Sequence, residues 1–87
     1  MGLESVLKEV AAERSSQDKK WGQQDHHPIE WLAILGEEFG EVSKATCEAH
    51  FKYENGETWK DYRKELIQTA AVAVAMIECL DRNGEPK

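Results

Sequence analysis

The sequence predicts an all-α chain of three helices joined by short connections. Apolar residues recur at three- and four-residue spacing through three long stretches. Turn-forming residues break that pattern in the polar segment 21–27 and again at Asn55-Gly56. No stretch alternates with the period of two that a half-buried strand requires.

Leu3, Val6, Leu7, Val10 and Ala11 share one side of a first helix over about residues 2–19, and Glu, Lys, Arg and Gln fill its other side. Pro28 suits the first turn of the second helix, where its missing N–H costs nothing. That helix runs to about residue 53, with Asn55-Gly56 as its left-handed stop. Thr58 opens a Thr-x-x-Asp arrangement with Asp61, a relative of the capping box. The third helix follows to about residue 81, ahead of Asn83-Gly84 and Pro86.

At 87 residues the chain is one domain whose core is marginal alone, so partnering with a second copy is expected. A net charge of −6 repels a nucleic-acid backbone, and no Lys/Arg stripe offsets it, which argues against polymeric DNA or RNA as a partner. A single nucleotide stays open, because a metal ion can carry its phosphates into an acidic site. The longest uncharged run, residues 66–77, is too short to span a bilayer. The first residues lack the apolar region of a signal peptide. No membrane association is expected, and the cytoplasm is the expected location. Cys47 and Cys79 are expected as reduced thiols in or near the core, not as a disulfide or zinc site.

Two helices depart from a plain amphipathic pattern. On the second, the apolar stripe centres on Trp31, Leu35, Val42 and Ala49, and Glu38 falls inside it with Glu41 at its edge. A carboxylate on the core side of a helix is costly unless paired or bound to a metal. The third helix is apolar on nearly every side from residue 66 to 77, and two helices of so small a chain cannot cover it. A homo-oligomer, dimer or tetramer, is expected to complete the bundle.

Glu65 opens the apolar run, with Gln68 at i+3 and Asp61 at i−4 on the same face. Antiparallel packing of the second and third helices sets Glu38-x-x-Glu41 against Glu65-x-x-Gln68. Such a set of oxygens suits a hard cation such as Mg²⁺. The same four residues are also compatible with ordinary helix-surface contacts, since one Glu-x-x-Glu among 17 acidic residues says little. Trp21, Gln24, His26 and His27 form a polar-aromatic loop, where Trp21 either stacks on a nucleobase or docks the loop onto the bundle. Lys44, Lys52, Arg63 and Arg82 are the basic residues placed to meet phosphates.

The segment Leu35-Gly-Glu-Glu-Phe-Gly-Glu-Val42, followed by Lys64-Glu-Leu-Ile-Gln68, resembles the two-part motif of the MazG-like nucleoside triphosphate pyrophosphohydrolases, Glu-x-x-Glu and then Glu-x-x-Asp. Glu13-Arg14, Gln17-Asp18 and Lys20-Trp21-Gly-x-Gln24 extend the likeness toward the phage and mobile-element members, so that it covers roughly residues 10–82. The resemblance implies an all-α, oligomeric enzyme that cleaves a nucleoside triphosphate to monophosphate and pyrophosphate. It implies Mg²⁺ held by Glu38, Glu41 and Glu65, with Gln68 at the fourth position of the motif and Glu38 or Glu41 as candidate proton acceptor; Trp21, Lys44 and Asp61 are substrate-binding candidates by their own positions in the chain. The sequence departs at Gln68, which stands where the family has Asp and brings neither charge nor basicity. Asp61 is the nearest acid that could compensate, or it caps the helix. The alternative is a non-catalytic MazG-like helical module that binds nucleotide or a protein partner, and the plainest is a structural dimer without ligand.

Overall fold

A computed structural model describes residues 2–87 as three helices, α1 (Leu3–Trp21), α2 (Pro28–Phe51) and α3 (Trp59–Asn83). Helix α3 packs against both α1 and α2, whose backbones make no close contact with each other among the described residues. No described helix is long and apolar enough to cross a membrane.

Helix boundaries follow local chemistry. Gly22, at φ 75°, ends α1 two residues beyond the expected point, its N–H donating to the carbonyl of Asp18. At the start of α2 the cap is His27, which the sequence did not mark. Its ring Nδ1 accepts from the backbone N–H of Ile29, while its own N–H donates to Glu30. At α3 the cap is Thr58, and Asp61 takes the part of Glu30, accepting from the Thr58 backbone N–H at 2.7 Å and its hydroxyl at 3.0 Å.

The stop of α2 differs from expectation. Lys52, not Asn55-Gly56, takes the left-handed conformation directly after Phe51, at φ 55° and ψ 48°. Asn55 is also left-handed, but inside the following turn. Gly56 is required there because a Cβ would stand 2.8 Å from that of Tyr53. A left-handed non-glycine residue costs about 1–2 kcal/mol. Lys52→Gly is therefore expected to stabilise the chain by about 0.5–1 kcal/mol once the extra freedom of the unfolded chain is subtracted. Urea unfolding checks this.

Helices α2 and α3 run antiparallel, so Trp31 near the start of α2 meets Cys79 near the end of α3. Trp31, Val72 and Cys79 form the core cluster, with Ile34, Leu35, Ala75 and Met76 packed around it. Ala45 and Ala49 are buried farther along the same face of α2, as the stripe required. At the far corner, Glu48 accepts from the Glu57 backbone N–H at 2.7 Å and Lys44 bridges Glu48 and Glu57, tying the connection to α2. Cys79 is buried as expected. Cys47 is exposed, because its position on α2 points away from α3.

Helix α1 is held more lightly. Val10 is its one buried apolar side chain, and Ala71 of α3 is fully buried. Glu9 pairs with Arg63 and Arg14 with Glu78. These partners are five residues apart on α1 but fifteen apart on α3, so α1 crosses α3 and does not run along it. Leu3, Val6 and Leu7 lie beyond the crossing and stay exposed, contrary to the apolar side their spacing suggested.

Candidate functional site

The crossing of α1 opens a space above α3 on the flank of α2 that carries its acids. Glu38 sits at the centre of it. The residue is half-buried, and burial raises its carboxyl above the ordinary range, with Glu41, Glu13 and Glu37 pushing the same way. Glu65, opposite on α3, is raised by burial and then by Glu41, Glu38 and Glu57. The antiparallel register of α2 and α3 thus places three of the expected residues within electrostatic reach of one another. None of Glu38, Glu41 and Glu65 forms an ion pair among the described residues; Arg14, Lys44, Arg63 and Arg82 pair with other acids.

Two clefts adjoin Glu38. One, of about 340 Å³, is lined by Glu13, Gln17, Lys20, Trp21, Glu38 and Gln68. The other, of about 360 Å³, has an apolar floor of Trp31, Ile34, Val72 and Ala75, with Gln17, Gln23 and Gln24 among its rim residues. Trp21 and Gln17 line both. A further cleft of about 530 Å³ lies elsewhere, between the α1–α2 loop and the end of α3, and includes none of these acids.

The remaining expected residues divide. Trp21 closes α1. It is 62 % exposed, with the Lys20 ammonium 4.8 Å from its ring centroid, and it lines both clefts. Lys44 is engaged at the α2–α3 corner and lines neither cleft beside Glu38. Asp61 is committed to its cap, and the two Thr58 hydrogen bonds hold its carboxyl below the ordinary range. Arg63 and Arg82 are paired with Glu9 and Asp25. Arg82, with Asn83, holds Asp25 down at about 2, which fastens the α1–α2 loop to the end of α3.

Sequence reasoning missed Glu13 and Lys20 as members of this neighbourhood. Both lie on α1, and only the crossing angle, which helical periodicity does not encode, brings them beside Glu38 and Gln68.

Three carboxylates and one amide oxygen are hard donors suited to a divalent cation. Their mutual repulsion without an internal basic partner is what such a cation relieves. Among the described residues, no three His, Cys, Asp or Glu side chains are gathered into a ligating set.

Comparison with family models, curated proteins and solved structures returns no match.

Proposed function

We propose that the chain is a Mg²⁺-dependent nucleoside triphosphate pyrophosphohydrolase of the MazG-like kind, acting as a homo-oligomer in the cytoplasm on standard or modified ribo- or deoxyribonucleotides. The observation that carries this reading is the half-buried, electrostatically strained Glu38, set against Glu65 and opening into two adjoining clefts.

Glu38, Glu41, Glu65 and the amide oxygen of Gln68 would hold the cation. When bound, it would neutralise phosphate charge and lower the pKa of a water aimed at the α-phosphorus. A carboxylate oxygen of Glu38 or Glu41 not engaged with metal accepts the proton from that water. Water oxygen bonds to the α-phosphorus, the bond to the bridging oxygen breaks, and pyrophosphate leaves. Lys20, at the edge of the smaller cleft, adds a positive charge near the phosphates. Trp21 offers its free face to the base, and Gln17, Gln23 and Gln24 present amide donors and acceptors to the base edge.

Gln68 favours one second reading, a related module that binds nucleotide or a protein partner without turning nucleotide over. The two readings share the cleft and differ at the cation.

Mn²⁺, followed by its paramagnetic signal, separates them. One site per chain is expected, weakened at least tenfold by Glu65→Gln with the helical circular dichroism unchanged. Mn²⁺ binding that ignores Glu65→Gln would remove the cation from the proposal.

Oligomerisation has its own support. A compact monomer of 9.9 kDa exposes about 5,200 Å², whereas this chain exposes 6623 Å². Its radius of gyration is 14.5 Å, against about 12 Å for a compact chain of this length. The surplus of about 1,400 Å² exceeds the roughly 800 Å² per partner of a standard stable interface.

A further inference from the structure

The acids and clefts occupy the side of the α2–α3 pair that α1 crosses. On the opposite side, α3 presents Leu66, Ala70, Ala73, Ile77 and Leu80, which alternate four- and three-residue steps as in a coiled-coil seam. Leu66, Ile77 and Leu80 are all exposed, Ile77 at 60 %. The adjoining flank of α2 presents Leu32 and Phe39, 61 % and 68 % exposed, with Gly36 between them. A Cβ at Gly36 would meet nothing within 4 Å in this chain. Among the described residues both seams leave large apolar side chains exposed, from Leu66 at 41 % to Phe39 at 68 %.

The two ends of this face are unlike. At the end of α3 lies the 530 Å³ cleft, walled by Trp31, Met76, Ile77 and Leu80 and bordered by the tail from Gly84 to Lys87. Trp31 is 4 % exposed, and its indole N–H makes no well-formed hydrogen bond; neither does the buried Nε2 of His26 beside it. At the other end Trp59, largely exposed, stands edge-to-face against Tyr62 with ring centroids 5.4 Å apart. One end is a hole and the other a projection.

We infer that a second copy of this chain seats on the α2–α3 face opposite α1 in antiparallel register, about a two-fold axis near Ala73, with the Trp59–Tyr62 pair of each protomer in the cleft of the other. This rests on the oligomeric reading above and fixes its geometry. Two-fold symmetry about Ala73 sets Leu66 against the partner's Leu80, and Trp59 against the partner's tail at Lys87. A parallel arrangement would bring cleft to cleft and leave unfilled volume in an interface that packs at interior density. Antiparallel pairing also sets the positive start of each α3 beside the negative end of the other. Residues 36, 70 and 73 are Gly, Ala and Ala, which permits close approach at the centre. The acids and their clefts remain on the outer side of such a dimer.

Cysteine cross-linking in a Cys47→Ser background tests the register, with sedimentation equilibrium and circular dichroism reporting assembly and folding. Oxidised with diamide, Ala73→Cys is expected to form a covalent dimer. Leu66→Cys and Leu80→Cys are expected to cross-link when mixed but not singly. Trp59→Ala is expected to weaken the dimer at least tenfold while leaving the helical signal intact. A self-linked Leu80→Cys dimer would overturn the antiparallel register and leave the oligomer standing. A folded monomer at all concentrations would overturn both. Neither outcome depends on turnover.

Discussion

Glu38→Gln is expected to lower Mg²⁺-dependent pyrophosphate release by at least about 10²-fold, the scale of removing a positioned acid–base group, while the protein melts no lower than the parent at pH 7. The two halves have one cause. Burial and the neighbouring Glu41, Glu13 and Glu37 make the ionised form of Glu38 unfavourable in the folded chain. A neutral amide of the same shape removes that repulsion along with the negative charge that function requires. The pH dependence follows in sign. A carboxyl raised on folding binds its proton more tightly in the native state, so stability falls as pH rises from the unfolded value of 4.5 through the folded one. Glu65 contributes in the same direction. In Glu38→Gln this part of the decline is expected to shrink, which melting temperatures across pH 4–8 check. Unchanged turnover would remove Glu38 from the mechanism. A lower melting temperature would mean that its carboxylate is a structural partner.

Trp31→Ala is expected to cost about 3–5 kcal/mol, the range for deleting a buried aromatic side chain. A chain of 87 residues has on the order of 4–13 kcal/mol in all. The substitution therefore brings the fold close to its limit, and loss of helical signal under mild urea is the expected result. Trp31 fills the space between the start of α2 and the end of α3, and its indole N–H, facing the Cys79 sulfur, lowers that thiol against the opposing effect of burial. It also supplies floor to one cleft and wall to another. A loss under about 1 kcal/mol would show that the core is not organised around this residue.

The sequence made the three helices legible because their apolar spacing, Pro28, and the Thr58–Asp61 cap are local signals. It also made the buried side of α2 legible, and with it the anomaly at Glu38, since a carboxylate within an apolar stripe can be seen on a helical wheel. What it left hidden depends on how helices meet. The crossing of α1 over α3 strands Leu3, Val6 and Leu7 in solvent and delivers Glu13 and Lys20 to the acids, and no periodicity within α1 specifies that angle. Lys44 looked available by position, yet Glu57 engages it. That partner lies in the α2–α3 connection, whose course only the folded chain reveals. The left-handed stop falls at Lys52, and Asn55 takes its left-handed conformation inside the turn that Gly56 closes against Tyr53.

The most direct test is product identification after incubating the folded, oligomeric protein with a panel of ribo- and deoxyribonucleoside triphosphates, with and without Mg²⁺. Mg²⁺-dependent appearance of equal amounts of monophosphate and pyrophosphate is the predicted result, and the fastest base identifies the occupant of the Trp21 cleft. Absence of both products from every triphosphate would contradict catalysis and leave Gln68 as the mark of a binding module.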